Sequence, residues 1–130
     1  MEILSETDYY ILMHLETHFF KVHYKSKELQ LQDYLQIIDI AKRQHEIYGK
    51  VYLLYTQERN FSIEKETWAY IKKNANKYDF IGANALVVND LAQRLMTKLY
   101  VFFTKDKTPT KIFSDPAKAL EWLKEMGRRH

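Results

Sequence analysis

The stretch "HLETH" contains the first residues to consider for chemistry, because imidazole and carboxylate groups bind zinc. His14, Glu16 and His18 alternate along the chain, so they would share one face of a strand that ran straight through them. Their order differs from the helical H-E-x-x-H of zinc proteases, and Glu16 lies where the pattern predicts a turn. The ends of such a stretch stand about 13 Å apart when it is extended. We therefore expect polar residues beside a hairpin, and no metal site.

Carboxylates are the next candidates, because hydrolysis by an acid pair needs two of them facing one cleft. Most acids in the helical regions fall on predicted polar faces, where charge usually serves solvation: Asp39, Glu46, Glu64, Glu66, Asp90 and Glu121. No glycine-rich loop follows a predicted strand, so a phosphate cradle of the nucleotide-enzyme type is not indicated. The chain has no cysteine, which excludes thiolate metal sites and disulfides. We expect a non-enzymatic protein without a cofactor.

Length and composition predict one domain over residues 1–130, with a core from about residue 9 to residue 126 and a short basic C-terminal tail. Hydrophobic residues make up 46% of the chain and include 10 tyrosines, enough for a packed core with half-exposed edges. A net charge of +3 is too small to imply nucleic acid, and we interpret Lys105, Lys107 and Lys111 as a solvated loop. Acidic first residues and short apolar runs predict a cytoplasmic protein without a membrane span.

The elements that must position any site follow from the hydrophobic periodicity. Period-two alternation predicts strands at Tyr9–Leu15 and Phe19–Tyr24, which form an N-terminal β-hairpin. Three further short strands alternate with four helical patterns, giving the order β-β-α-β-α-β-α-β-α, which indicates an α/β domain with a mostly parallel sheet. Those strands are expected at 50–56, 84–88 and 109–113, and the helices at 29–49, 63–78, 91–103 and from Pro116 onward.

Local signals support the helix ends. Gly49 suits the C-terminal cap of the first helix, and Asp33 suits its first turn. Pro116 suits the first position of the last helix, with Asp115 before it. We expect Leu120, Leu123 and Met126 to face the core from that helix.

Five strings occur in order between about residue 9 and residue 125: "FFKVHYK", "LQLQDYLQIIDIAKR", "NFSIEKE", "ALVVNDLAQRLM" and "PTKIFSDPAKALEWLK". With the element order they resemble the STAS-like (anti-sigma-factor antagonist-like) family, in its small single-domain bacterial branch. The last string is the most specific, because relatives share a "PTK-aromatic" strand running into "ALEWL". The resemblance implies a STAS-like fold and a non-catalytic regulatory module that binds a partner protein.

In classical members of that family an anti-sigma kinase phosphorylates a serine at the start of the helix after the central strand, and the partner complex then dissociates. By position the matching residue is Ser62. Helix amides would favour a phosphate there, and its charge of about −2 would repel an acidic partner. The family motif pairs two serines before a glycine, whereas this chain has Phe61-Ser62-Ile63, and its strand ends in Thr56 where many relatives have aspartate. From the residues alone, Ser62 is a helix N-cap worth about 1 kcal/mol.

The predicted partner site extends beyond that serine. Open α/β sheets bind at the carboxyl ends of their strands, and the loops after two predicted strands meet there. The candidate partner-binding residues are Asn60, Ser62, Glu64, Lys65, Asp90 and Arg94.

The pattern "LAQRLMTKLYVFF" predicts a helix that is apolar over an unusually wide arc. Such a helix has more apolar surface than one sheet face can cover. One interpretation is that the helix belongs entirely to the core. A second is a homodimer surface, and a third is a wall of an apolar cavity beneath the 91–103 helix that binds a small molecule or lipid. The residues of this candidate dimer or groove surface are Leu95, Leu99, Tyr100 and Phe103.

Overall fold

A computed structural model describes residues 1–74, 77–104 and 108–129, without the side chains of residue 96 and residues 99–104. These residues form a mixed α/β domain. Its strands are β1 (Glu2–Glu6), β2 (Tyr10–Glu16), β3 (Phe19–Tyr24), β4 (Glu28–Leu29), β5 (Val51–Gln57), β6 (Ser62–Ile63), β7 (Ile81–Val87) and β8 (Thr110–Phe113). Its helices are α1 (Leu31–Tyr48), α2 (Lys65–Asn74), α3 (Leu91–Thr104) and α4 (Pro116–Arg128).

The main sheet has six strands in the order β1-β2-β3-β5-β7-β8. The first three strands pair antiparallel, and the pairs from β3 to β8 are parallel. A separate parallel pair joins β4 to β6. The predicted α/β class with a mostly parallel sheet is therefore confirmed.

Both faces of the main sheet are covered around its centre. On one face, the buried side chains of β2, β3 and β5 pack against α1 and α2. On the other face, Tyr52, Leu54 and the alanines of β7 pack against Ala119 and Leu123 of α4. This two-sided cover explains why β5 reads as a continuous apolar run.

The helix ends follow the predicted local signals. Gly49 has a φ of 83° and donates its backbone N–H to the carbonyl of His45 at 2.9 Å. Asp115 caps α4 by accepting the backbone N–H of Ala117 at 2.9 Å, and Pro116 occupies the first turn. Both ends confirm that short-range chemistry determines where these helices begin or end.

The predicted elements differ from the structure in three respects. The N-terminal hairpin has a third antiparallel strand, β1, whose sequence Glu2–Glu6 is too short and acidic to be recognised. The pair β4 and β6 was missed because two-residue strands form only when distant segments meet. The described part of α2 is Lys65–Asn74, and Tyr78, which the prediction placed in this helix, joins the core cluster from a non-helical position.

None of the described helices has the length and apolarity required to cross a membrane.

Candidate functional site

A cavity of about 140 Å³ lies between the main sheet and the helices α1, α2 and α3. The strands β5, β7 and β8 form its floor, which extends from Ile81 and Thr110 at the beginnings of β7 and β8 to Gln57 at the end of β5, and the loop after β5 closes one side. The part of the cavity beside Gln57 lies at the carboxyl edge of the sheet, where open α/β sheets bind ligands. The lining residues are Tyr24, Tyr34, Ile38, Tyr55, Gln57, Phe61, Ser62, Ile63, Trp68, Ile71, Tyr78, Ile81, Asn84, Leu86, Gln93, Thr97, Thr108 and Thr110.

One wall of the cavity is a stack of aromatic rings. The Tyr24 ring lies 4.6 Å from the Phe61 ring with an interplanar angle of 5°. The Tyr24 and Tyr55 rings are 5.9 Å apart, with an interplanar angle of 19°. Tyr24 and Tyr55 come together because β3 and β5 are adjacent parallel strands, whereas Phe61 reaches them from the loop. The stack therefore anchors that loop beside the cavity.

Tyrosine hydroxyls extend this wall toward α1 and α2. Tyr34, Tyr70 and Tyr78 interact through their hydroxyl groups, and the rings of Tyr34 and Tyr70 are 6.2 Å apart. Burial raises the pKa of the Tyr78 hydroxyl well above its usual value, and the hydroxyl of Tyr70 raises it further. The phenol of Tyr78 consequently stays uncharged at any physiological pH.

The opposite wall contains amides and hydroxyls. Gln57 Nε2 donates to the carbonyl of Val87 at 2.6 Å and to Gln93 Oε1 at 3.4 Å. Gln93 Nε2 in turn donates to the carbonyl of Glu58 at 3.4 Å. These bonds hold the first turn of α3 against the ends of β5 and β7.

Asn84 projects from β7 into the cavity floor. Its neighbours Ala83 and Ala85 face α4, so strand alternation directs Asn84 to the cavity side. Its Oδ1 atom is buried and accepts no hydrogen bond from the described residues.

The described lining of the cavity carries no formal charge. Among the described lining residues there is no Asp, Glu, Lys, Arg or His. The site therefore has the chemistry to hold an uncharged ring and to hydrogen-bond its edge, because apolar pockets with a few convergent polar groups bind such molecules.

Ser62 does not cap α2, so that prediction is wrong. Ser62 is exposed and lies in β6, where its N–H donates to the carbonyl of Lys27 at 3.2 Å. The cap is Glu64, whose carboxylate accepts Thr67 Oγ1 at 2.9 Å and the N–H of Glu66 at 3.3 Å. Pairing with β4 keeps Ser62 extended, which delays the helix to Lys65. The Glu64 carboxylate also makes the start of α2 less favourable for a phosphate than the sequence predicts.

The other predicted partner-binding residues lie at the same edge of the sheet. Asn60 is exposed in the left-handed region with a φ of 69°, and Lys65 is exposed. Asp90 caps α3 by accepting the N–H of Ala92 at 2.8 Å. Arg94 is exposed one turn later. The Gln93–Glu58 hydrogen bond connects these two loops.

Residues 13–127 match the family model described as "Domain of unknown function (DUF7793)". The chain belongs to this family. The match includes every described residue that lines the cavity. Neither the curated proteins nor the solved structures contain a match to the chain.

The predicted dimer or groove surface of this DUF7793 domain is described only in part. Leu95 is 55% exposed, and Leu91, one turn earlier on α3, is 74% exposed. The side chains of Leu99, Tyr100 and Phe103 lie outside the described residues, as do Lys105 and Lys107.

The histidines of "HLETH" lie on opposite sides of the sheet. His14 stacks on Phe20, on the α1 side, at 4.8 Å. His18 contacts Phe19 and Tyr52, on the α4 side. A β-bulge between His14 and Glu16 interrupts the alternation, so the two imidazoles do not converge.

Sequence reasoning missed several lining residues, including Gln57, Asn84 and Gln93. One signal was available, because an asparagine at the start of "NALVV" is unusual for a strand that is buried on both faces. It also missed a series of hydrogen bonds on the face of the sheet opposite the cavity. There the His23 ring hydrogen-bonds Thr56 Oγ1 at 2.7 Å and Glu58 Oε2 at 3.2 Å. The hydrogen bond from His23 lowers the pKa of the Glu58 carboxyl.

Proposed function

We propose that this DUF7793 domain is a non-catalytic module that binds a small, uncharged, ring-containing molecule in the cavity beneath α3. The observation that carries the proposal is the cavity itself, with stacked aromatic rings on one wall and amides and hydroxyls on the other. A concave, mostly apolar site with a few placed polar groups is the usual form of a small-molecule site.

The size of the cavity favours a single ring over a lipid. Its volume of about 140 Å³ is close to the roughly 150 Å³ at which an apolar cavity binds benzene. Sites for drug-sized ligands have about 300–1,000 Å³, so an acyl chain would not fit without expansion.

The lining favours a neutral ligand. The described lining residues provide no formal charge, and the amides of Gln57 and Gln93 are engaged with each other and with backbone carbonyls. An ion placed there would lose hydration without gaining a counter-charge, which is strongly unfavourable.

A ligand-observed NMR screen of one-ring compounds tests the proposal. We expect uncharged aromatic compounds to bind, and Leu86→Trp to weaken that binding at least tenfold because the indole fills the cavity. Leu91→Trp is the matched control, since Leu91 is exposed on α3. In the protein that carries Trp122→Phe alone, the fluorescence of Trp68 provides a second readout of binding, because Trp68 lines the cavity whereas Trp122 packs on Phe113. Equal binding to the Leu86→Trp and Leu91→Trp proteins would refute the cavity as the site.

A second candidate function is partner binding at the sheet edge formed by Asn60–Lys65, Asp90 and Arg94, as the STAS-like resemblance of the sequence implies. It is favoured by the position of the loop, because Ser62 is exposed and lies with Phe61 and Ile63 at the rim of the cavity. Ser62→Asp is expected to abolish co-purification of a regulatory protein from the native cytoplasm, and Ser62→Ala to preserve it. If both variants recover the same amount of that protein, the hypothesis that phosphorylation of Ser62 releases the partner is refuted.

A further inference from the structure

The strongest unexplained feature of the cavity is the Asn84 side chain. Its Oδ1 is shielded from solvent and accepts no hydrogen bond within the described part of the chain. Leaving a buried acceptor unpaired costs about 1–3 kcal/mol, and native proteins rarely retain one without a reason.

Several neighbouring donors already have other acceptors. The Thr110 hydroxyl, opposite Asn84 in the β7–β8 register, donates to the carbonyl of Thr108 at 3.1 Å. The Thr97 hydroxyl donates to the carbonyl of Gln93 at 2.7 Å. Both amide hydrogens of Gln57 are used, on Val87 and Gln93. Rearranging any of these donors toward Asn84 would break an existing bond.

The Asn84 side chain lines the apolar cavity, so a ligand whose own donor reaches the unpaired Oδ1 would satisfy this acceptor. We propose that the ligand is a flat, uncharged ring with an O–H or N–H on its edge, which donates to Asn84 Oδ1. The inference rests on the proposed function and adds the polarity of the ligand to it. The aromatic stack supplies a flat surface for the ring, and Asn84 fixes the edge that points at β7.

Three one-ring probes of similar size separate the alternatives. Phenol provides a donor, pyridine provides an acceptor only, and fluorobenzene provides neither strongly. Their dissociation constants are measured by NMR titration near pH 7, where all three are mainly uncharged, for the full chain and for Asn84→Leu. Asn89→Leu is the control, because Asn89 is an exposed asparagine beyond the end of β7.

Phenol is expected to bind the unmodified protein about tenfold more tightly than fluorobenzene, as one additional hydrogen bond would produce. In Asn84→Leu this preference should disappear while fluorobenzene still binds, and in Asn89→Leu it should persist. Asn84→Leu is also expected to melt at a higher temperature than the unmodified protein, because it removes an unpaired acceptor. Asn84→Ala replaces it in the titration if the leucine variant does not fold.

Two results would overturn the inference and leave the proposed function intact. The first is equal binding of phenol and fluorobenzene, or tighter binding of pyridine, by the unmodified protein. The second is a phenol preference that survives in Asn84→Leu, since the acceptor would then be another group. Failure of all three probes, and of the one-ring screen, would instead refute the proposed function together with the inference.

Discussion

At the scale of single residues, Asp33 shows how burial and hydrogen bonding determine ionisation. Asp33 lies in the first turn of α1 and is only 5% exposed. Its Oδ2 atom has no hydrogen-bond partner among the described residues. Burial raises the pKa of this carboxyl, and a backbone hydrogen bond at Gln30 opposes the shift. A favourable position for an acid at a helix start is therefore combined with an unfavourable loss of hydration.

This raised pKa has a defined consequence for stability. Because the folded protein holds the Asp33 proton more tightly than the unfolded chain, the contribution of Asp33 is greatest below the unfolded pKa of about 3.9 and is lost as the pH rises through the folded pKa. We expect Asp33→Asn to remove this loss, so the variant gains stability relative to the unmodified protein as the pH rises above about 4. Urea unfolding at several pH values measures the difference.

Asp39→Asn is the control for that experiment, because Asp39 is an exposed acid on the same helix, paired with Arg43. A stability difference between the Asp33→Asn and unmodified proteins that does not change with pH would contradict the prediction.

At the scale of elements, the start of α2 depends on a strand pair that no local pattern indicates. The β4–β6 pair holds Ser62 and Ile63 opposite Glu28 and Leu29. Leu29 is 1% exposed, so its burial helps to fix this pairing. The helix therefore begins after Glu64, although a serine is the better intrinsic N-cap.

We expect Glu64→Ala to lower the free energy of unfolding by about 1 kcal/mol, because it removes the cap of α2. Ser62→Ala should change it by no more than about 0.5 kcal/mol, as is usual for an exposed side chain. Chemical denaturation of the two variants compares them directly. A larger loss for Ser62→Ala than for Glu64→Ala would restore Ser62 as the cap.

At the scale of the whole molecule, the two faces of α3 have different surroundings. Gln93 and Thr97 line the cavity, whereas Leu91 and Leu95, four residues apart, are exposed. Residues four apart share one face of a helix. We propose that this outer face contacts a second copy of the chain, which would bury the exposed leucines.

Sedimentation equilibrium tests the homodimer. The unmodified protein is expected to dimerise at high micromolar concentration, and Leu95→Lys to remain monomeric because a charged ammonium cannot be buried there without a partner. Ile47→Lys is the matched control, since Ile47 is an exposed apolar residue on α1. An unmodified protein that stays monomeric at high micromolar concentration would exclude a stable dimer.

Local sequence determined most of the secondary structure of this protein. The α/β class, the four helices, the C-terminal cap at Gly49 and the start of the last helix at Pro116 followed from apolar periodicity and short-range signals. These signals act within a few residues, so they can be read without knowing what packs nearby.

Only the tertiary structure decided the site. The third antiparallel strand, the extended conformation of Ser62 and the exposed Leu95 depend on segments that are distant in sequence. The cavity and the unpaired acceptor of Asn84 depend on what the surrounding side chains leave unfilled and unbonded. Empty volume and hydrogen-bond satisfaction are properties of the complete packing, and no local pattern of residues specifies them.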